Sequence, residues 1–311
     1  MQPFPFGKLG AIHEEKPEGF LLGSIQAPVE KPSTYLLNPN SPFFTLNALM
    51  QGKTSECGGY SVAQLINFLC VLKGINPTDL SGSFDYAYEK TVDGVPATPG
   101  TYISAVGKAG STVGSCLKKL FPDDGDAATD PSGTPTLWTV ATEAAKADAL
   151  ARGVLGTPFL LDDLSIEGIH QACYQNGGVI LEVQVGDEWW TAPNGTTSWS
   201  AADVLPLRPP KQVVDAHFIL VAPYDEPNDR SWFINSWSKE WGENGFGYFN
   251  SNYAPFIKAG IAFKQIPPSV AQALTAGQVS LAQQILNDME KVLALIGMEI
   301  DEIFPKVENQ T

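Results

Sequence analysis

Residues 57–73, CGGYSVAQLINFLCVLK, constrain the fold of this chain more than any other stretch. Val62, Leu65, Ile66, Leu69 and Leu72 recur three or four apart, the spacing that lays an apolar stripe along one face of an α-helix. Ser55 is placed to cap this helix and Gly74 to end it. A cysteine then stands at the helix N-terminus, at the positive end of the macrodipole and beside amides with no intrahelical partner. Both effects favour thiolate over thiol. Gly58 and Gly59 leave room for a substrate backbone to approach. Alone, a cysteine opening an apolar helix is more often a packing residue than a nucleophile, so its chemistry has to be argued from other positions.

Around this helix the chain changes character along its length. Residues 1–40 are rich in Pro, Gly and Glu and predict an extended N-terminal arm. Residues 41–165 form a helix-rich lobe carrying Cys57, with further helices near 102–109 and 142–152 and a loop over 126–136. Residues 166–266 form a strand-rich lobe. After a short helix at 165–177, its strands are predicted at 179–185, 217–224, 231–237 and 245–249. Helices first and strands afterwards imply an α+β protein with two lobes. No internal repeat is visible. Pro267-Pro268 then sets off a C-terminal extension, 267–311, in which Leu281, Ile285, Met289, Val292, Ile296, Ile300 and Ile303 describe an amphipathic helix. That helix either packs on its own domain or serves self-association or docking through residues 280–304. Its polar face holds Asp288, Glu290 and Glu299 and few bases, which argues against an anionic lipid surface.

Composition removes whole classes of function. The 311 residues carry 34 Asp and Glu against 19 Lys and Arg, a formal charge of −15, so no nucleic-acid partner is expected. Four cysteines are too few for a disulfide scaffold. No CxxC pair, HExxH or GxxxxGK appears, so neither metal nor cofactor is expected. No run of about 18 apolar residues suggests a membrane span. The opening residues lack a basic segment followed by an apolar run, so no signal peptide is expected, with a cytoplasmic or particle-associated setting.

A thiolate nucleophile needs an imidazole to pair with it and to protonate the leaving group. Three histidines are present. His13 lies in the arm and His170 in an amphipathic helix, where a surface position is expected. His217 opens the strand HFILVAPY at the edge of a buried sheet. Asn235-Ser236-Trp237 ends the following strand. A carboxamide there can accept the imidazole N–H and fix its tautomer, and an indole can shield that bond from water. Trp241, Gly242 and Gly245 follow.

Together Gln51, Cys57, His217, Asn235, Ser236, Trp237, Trp241, Gly242 and Gly245 resemble the signature set of the papain-like cysteine peptidases, whose site groups Cys, His and Asn. Gln51 precedes Cys57 by six, the family's spacing for its oxyanion-hole glutamine. NSWSKEWGENGFGYF resembles the family's Asn-Ser-Trp block, and TYISAVGKAGS and SIEGIHQA look like segments of bacterial members. The resemblance spans roughly residues 40–266. It implies a helical left lobe with the nucleophile helix, a β-barrel-like right lobe, and peptide or protein as substrate. Cys57 would attack the scissile carbonyl. Gln51 and the Cys57 amide would hold the oxyanion, His217 would move the proton, and Asn235 would orient His217.

Departures from the family pattern keep other readings in view. Ser55-Glu56-Cys57-Gly58 replaces Gly-Ser-Cys-Trp, and Glu56 would oppose a thiolate unless it points to solvent. Phe218 stands where a small residue is usual and narrows the neighbouring pocket, and Ser238 replaces a glycine. Thr54 stands where secreted members carry a half-cystine, which leaves Cys70, Cys116 and Cys173 as buried free thiols. Too few residues precede Cys57 for the family's long inhibitory pro-region to be expected in this sequence. The arm could lie across the cleft as an extended peptide, be cleaved, or merely pack. The alternatives to an endopeptidase are a catalytically silent scaffold or binding protein in a larger assembly, and a hydrolase of cell-wall peptide amides.

Overall fold

A computed structural model describes residues 10–15, 30–37, 41–122, 138–190 and 207–264. In chain order the elements are β1 (Thr34–Tyr35), α1 (Cys57–Leu72), α2 (Gly82–Val92), α3 (Ile103–Thr112), α4 (Glu143–Arg152), β2 (Thr157–Leu160), α5 (Ile166–Asn176), β3 (Val179–Val185), β4 (Asp215–Asp225), β5 (Arg230–Ile234), β6 (Phe246–Phe249) and β7 (Ile257–Lys264). The loop expected over 126–136 and the amphipathic helix expected over 281–303 lie outside the described residues. Among the described residues no helix is long and apolar enough to cross a membrane, and no cluster of metal-ligating side chains occurs.

α1 is buried almost from end to end, so its apolar positions meet neighbours on every side. Its N-cap is Glu56, not the expected Ser55, and no side chain caps it. α2 was not legible in the sequence: FDYAYEK has little apolar periodicity, yet Ser81 caps the helix and it packs directly on α1. That packing depends on two glycines. A methyl group on Gly59 would stand 2.2 Å from the Gly82 carbonyl oxygen, and one on Gly82 would stand 2.3 Å from the Tyr60 ring.

The strands form one antiparallel sheet in the order β2-β7-β3-β4-β5-β6, with β1 paired to the far end of β4. Among the described residues the sheet is open, not closed into a barrel. Its two faces bury different cores. Ile180, Phe218, Leu220 and Ile261 join the core that holds α1, whereas Leu181, Val183, Ile219 and Val221 join a second core with Trp189, Trp237 and Trp241. This is the period-two alternation of a sheet buried on both faces, so each strand reads as a continuous apolar run. Central strands β3 and β4 match the expected segments, but β2 and β7 were missed.

The close approach of α1 to α2 predicts that Gly59→Ala will lower stability by roughly 1–3 kcal/mol, the usual range for overpacking. Thermal melting should show a lower Tm. An unchanged Tm would mean that the two helices are free to separate.

Candidate active site

Cys57 is the first residue of α1 and is fully buried. α1 runs its N-terminus against β4, and the Phe218 amide reaches the Cys57 sulfur. His217, one residue earlier on β4, therefore lies at the same helix end. Its Nε2 bonds Asn235 Oδ1 at 2.8 Å, and its Nδ1 has no hydrogen-bond partner. Trp237 lies against the imidazole with ring centroids 4.8 Å apart, and Trp189 meets it edge-on at 6.0 Å.

Asn235 is held from two sides. The Ser236 amide donates to its Oδ1 at 2.7 Å, and Gln64 Nε2 donates to its backbone carbonyl at 3.0 Å. Gln64 follows Cys57 by seven residues and so shares its face of α1, which makes one helix carry both the thiol and a support for Asn235. Gln51 joins the group through Ser236: its amide donates to the Ser236 carbonyl at 2.9 Å, and its Oε1 accepts from Ser236 Oγ at 2.5 Å. Gln51 Nε2 points to the 54–57 turn, donating to the Thr54 carbonyl at 2.7 Å. The four residues singled out in the sequence, Gln51, Cys57, His217 and Asn235, thus converge on one buried cluster.

Ser238 adopts φ 67°, left-handed backbone that favours glycine, which accounts for the usual glycine at that position. Glu56 does not point to solvent. It is 2% exposed, and Ser83 Oγ donates to its Oε2 at 2.6 Å. A second carboxylate was overlooked: Glu89 of α2 is fully buried, and its Oε2 would stand 2.7 Å from a methyl group on Gly58. Burial holds its carboxyl well above the usual range, with Asp85 and Asp93 adding to the rise.

His170 is not on the surface. It is buried, bonded through Nε2 to Ser231 Oγ at 2.8 Å, and stacked on Tyr224. Cys70 is only half-buried, whereas Cys116 and Cys173 are buried, and all four cysteines are free. Trp189 and Trp190 are part of the site and were missed. Trp190 stacks on Trp237 at 5.5 Å, and the Trp241 indole donates to the Trp189 carbonyl at 2.8 Å. The doubled tryptophan of GDEWW was the available signal.

Among the described residues of the arm, Gly10–Ile12 are hydrogen-bonded to the rest of the fold. Ala11 bridges two segments: its amide donates to the Ala216 carbonyl at 3.3 Å, while Ile12 N donates to Thr101 O and Thr101 N donates to Gly10 O, both at 2.8 Å. Gly10 lies flat on the turn before α1, where a methyl group would stand 2.0 Å from the Ser55 carbonyl oxygen. His13 Nδ1 pairs with Glu182 Oε1 at 3.0 Å.

Similarity to known proteins follows the geometry. No protein-family model matches the chain, and no curated relative does. Solved structures do match. Xylellain, a cysteine protease from Xylella fastidiosa, aligns at TM-score 0.62 over 86% of this chain and 99% of its own, with 17% identity. The fold is that of the papain-like cysteine proteases. A procathepsin B of Trypanosoma congolense aligns at TM-score 0.57 over 82% of this chain and 86% of its own, with 16% identity. A cysteine protease of Carica candamarcensis aligns at 0.52 over 71% and 93%, with 13% identity.

Within this papain-like fold, burial and the helix dipole oppose each other at Cys57. A helix N-terminus favours an anion by about 0.3–1 kcal/mol, and up to about 2 in partly buried settings. Removing a charge from water costs several kcal/mol. Burial therefore wins: the thiol is pushed up, even though the Phe218 and Gly10 amides pull it down. Burial likewise lowers the His217 imidazole to about 4, against the raising effect of its bond to Asn235. With the arm seated, thiol and imidazole are both neutral at pH 7.

The unfolded imidazole takes its proton near pH 6.5 and the folded one near 4, so between these values the unfolded chain binds more protons. Stability contributed by neutral His217 is present above pH 6.5 and lost as pH falls toward 4, by about 3 kcal/mol. Asp85 and Glu89, raised by burial, act with the opposite sign. The quantity to read is therefore the difference between wild type and His217→Gln. In urea titrations that difference should shift by about this amount between pH 6.5 and 4. A difference independent of pH would show that folded His217 titrates as it does in the unfolded chain.

Proposed function

We propose that the protein is a cysteine endopeptidase that cleaves peptide bonds through an acyl-enzyme on Cys57. The observation that carries this reading is the His217 imidazole, fixed by Asn235 and covered by Trp237 and Trp189 at the N-terminus of the cysteine helix. Asn235 Oδ1 accepts a hydrogen bond from Nε2–H and so leaves Nδ1 as the nitrogen that exchanges a proton with the sulfur. Cys57 attacks the scissile carbonyl while His217 holds the thiol proton, then delivers it to the leaving amine. The returning water loses its proton to His217 as it attacks the thioester, and Cys57 leaves as thiol.

The tetrahedral oxyanion calls for donors aimed at it in advance. The Cys57 amide, free of an intrahelical acceptor at the helix start, is one. Gln51 is the other, its amide locked between Ser236 and Thr54 so that little reorganisation is needed. Gln51→Ala should lower kcat by roughly a hundredfold or more, and Cys57→Ser should abolish cleavage.

The arm acts as a cover. Its backbone pairs with Thr101 on one side and Ala216 on the other, beside the nucleophile, and excludes the water that would let the Cys57–His217 ion pair form. Ala11 makes an isolated parallel bridge to Thr101 and an antiparallel one to Ala216. Gly10→Ala cannot seat against the Ser55 carbonyl, so this substitution should displace the arm and raise hydrolysis of a fluorogenic peptide amide several-fold. Cleavage that persists in Cys57→Ser would overturn the peptidase reading. Cleavage unchanged in Gly10→Ala would overturn the cover alone.

A further inference from the structure

Strand β3, VILEVQV, carries one charged residue, Glu182, on a strand whose other positions are apolar apart from Gln184. The register sets Glu182 opposite Phe218 of β4 and Ala259 of β7. Directly opposed residues in antiparallel strands share a face, and Phe218 and Ala259 belong to the face that packs on α1 and meets the arm. Glu182 is also one register step from His217, which is paired with Val183. A carboxylate with no solvent exposure therefore lies beside the nucleophile end of α1.

Such a group is costly unless it is paired. Its Oε1 is met by His13 of the arm at 3.0 Å, while Oε2 has no hydrogen-bond partner. The other charged groups facing it are Glu14 of the arm and Lys258 of β7, and the Lys258 ammonium is committed to the Pro255 carbonyl at 2.9 Å. Burial raises the Glu182 carboxyl, and His13 and Lys258 draw it down. The arm holds the backbone positions beside Cys57 and sends its one basic side chain in this stretch onto this carboxylate. When the arm leaves, Glu182 loses the one hydrogen-bonded partner it has among the described residues.

We propose that Glu182 is the specificity-determining residue of the substrate cleft, and that it selects a peptide with a basic side chain on the amino-terminal side of the scissile bond. His13 occupies the same place in the covered enzyme. A lysine or arginine there supplies donors to both carboxylate oxygens, Oε2 included, whereas an apolar side chain leaves the charge buried and unpaired and an acidic one repels it. Phe218 and the alkyl stem of the basic residue can pack together beside the carboxylate.

This inference rests on the peptidase reading, and the test separates the two. A positional set of fluorogenic tetrapeptide amides carries Arg, Leu or Glu at the second or third residue before the scissile bond. It is assayed with full-length Gly10→Ala, in which the arm is displaced, alone and combined with Glu182→Gln or Glu182→Lys. Gly10→Ala alone should prefer Arg over Leu by roughly tenfold or more in kcat/KM at one of the two positions, with Glu lowest. The Arg-to-Leu ratio should fall toward one with Glu182→Gln, and Glu should overtake Arg with Glu182→Lys. The ratios of Gly10→Ala alone carry the test if either double variant fails to fold. Hydrolysis with an Arg-to-Leu ratio near one at both positions, or a ratio that survives Glu182→Gln, overturns the specificity role and leaves the peptidase reading standing. No hydrolysis of any member, together with an unreactive Cys57, overturns both.

Discussion

Desolvation at the meeting of α1 and β4 governs this site. The helix brings a thiol to its own N-terminus, and the strand brings an imidazole to the same place, but both are buried in the covered state. A helix dipole of at most about 2 kcal/mol is outweighed by the cost of charging a group away from water. On the proposed reading the same pair of residues is inert or reactive according to what lies over it. In the described structure that is a short backbone segment, Gly10–Ile12, hydrogen-bonded to both sides of the site. A cover of three residues can do this because Gly10 has no side chain to keep it off the Ser55 carbonyl.

Beneath the nucleophile the polar groups of α2 extend the same economy. Glu56 is taken up by Ser83, Asp85 by Ser115, and the Lys90 ammonium by Asp93 and the Thr98 and Gly100 carbonyls. These contacts fix the 98–101 segment against which the arm pairs. Among the described residues Glu89 has no hydrogen bond to either oxygen, and burial, with Asp85 and Asp93 nearby, raises its carboxyl. Glu56, which would oppose a thiolate unless it faced solvent, is buried, with Ser83 donating to it.

How much of this was legible in the sequence follows from the range of each interaction. α1, β3 and β4 were readable because their apolar positions are consecutive or periodic within one element. The grouping of Gln51, Cys57, His217 and Asn235 was readable because residue types and order carry it. α2 was not, because its burial comes from α1 and from the glycine contacts, not from its own pattern. β2 and β7 escaped for a related reason: β2 pairs with β7, and β7 with β3, across the strand-rich half. His13 and Glu182 looked like an arm residue and a strand anomaly. Only the fold brings them together across 169 positions. His170 was misjudged because its helix buries the face that stacks on Tyr224.

The Cys57–His217 pair is tested most directly by the rate at which each cysteine is alkylated by iodoacetamide at pH 5 to 6, mapped by peptide mass. Full-length Gly10→Ala is compared with the same chain also carrying His217→Ala. Half-buried Cys70 is the internal reference, since access alone would favour it. With the arm displaced, Cys57 should be labelled faster than Cys70, and the additional loss of His217 should remove that advantage. Cys57 labelled no faster than Cys70, or equally fast without His217, would contradict an imidazole-activated thiolate.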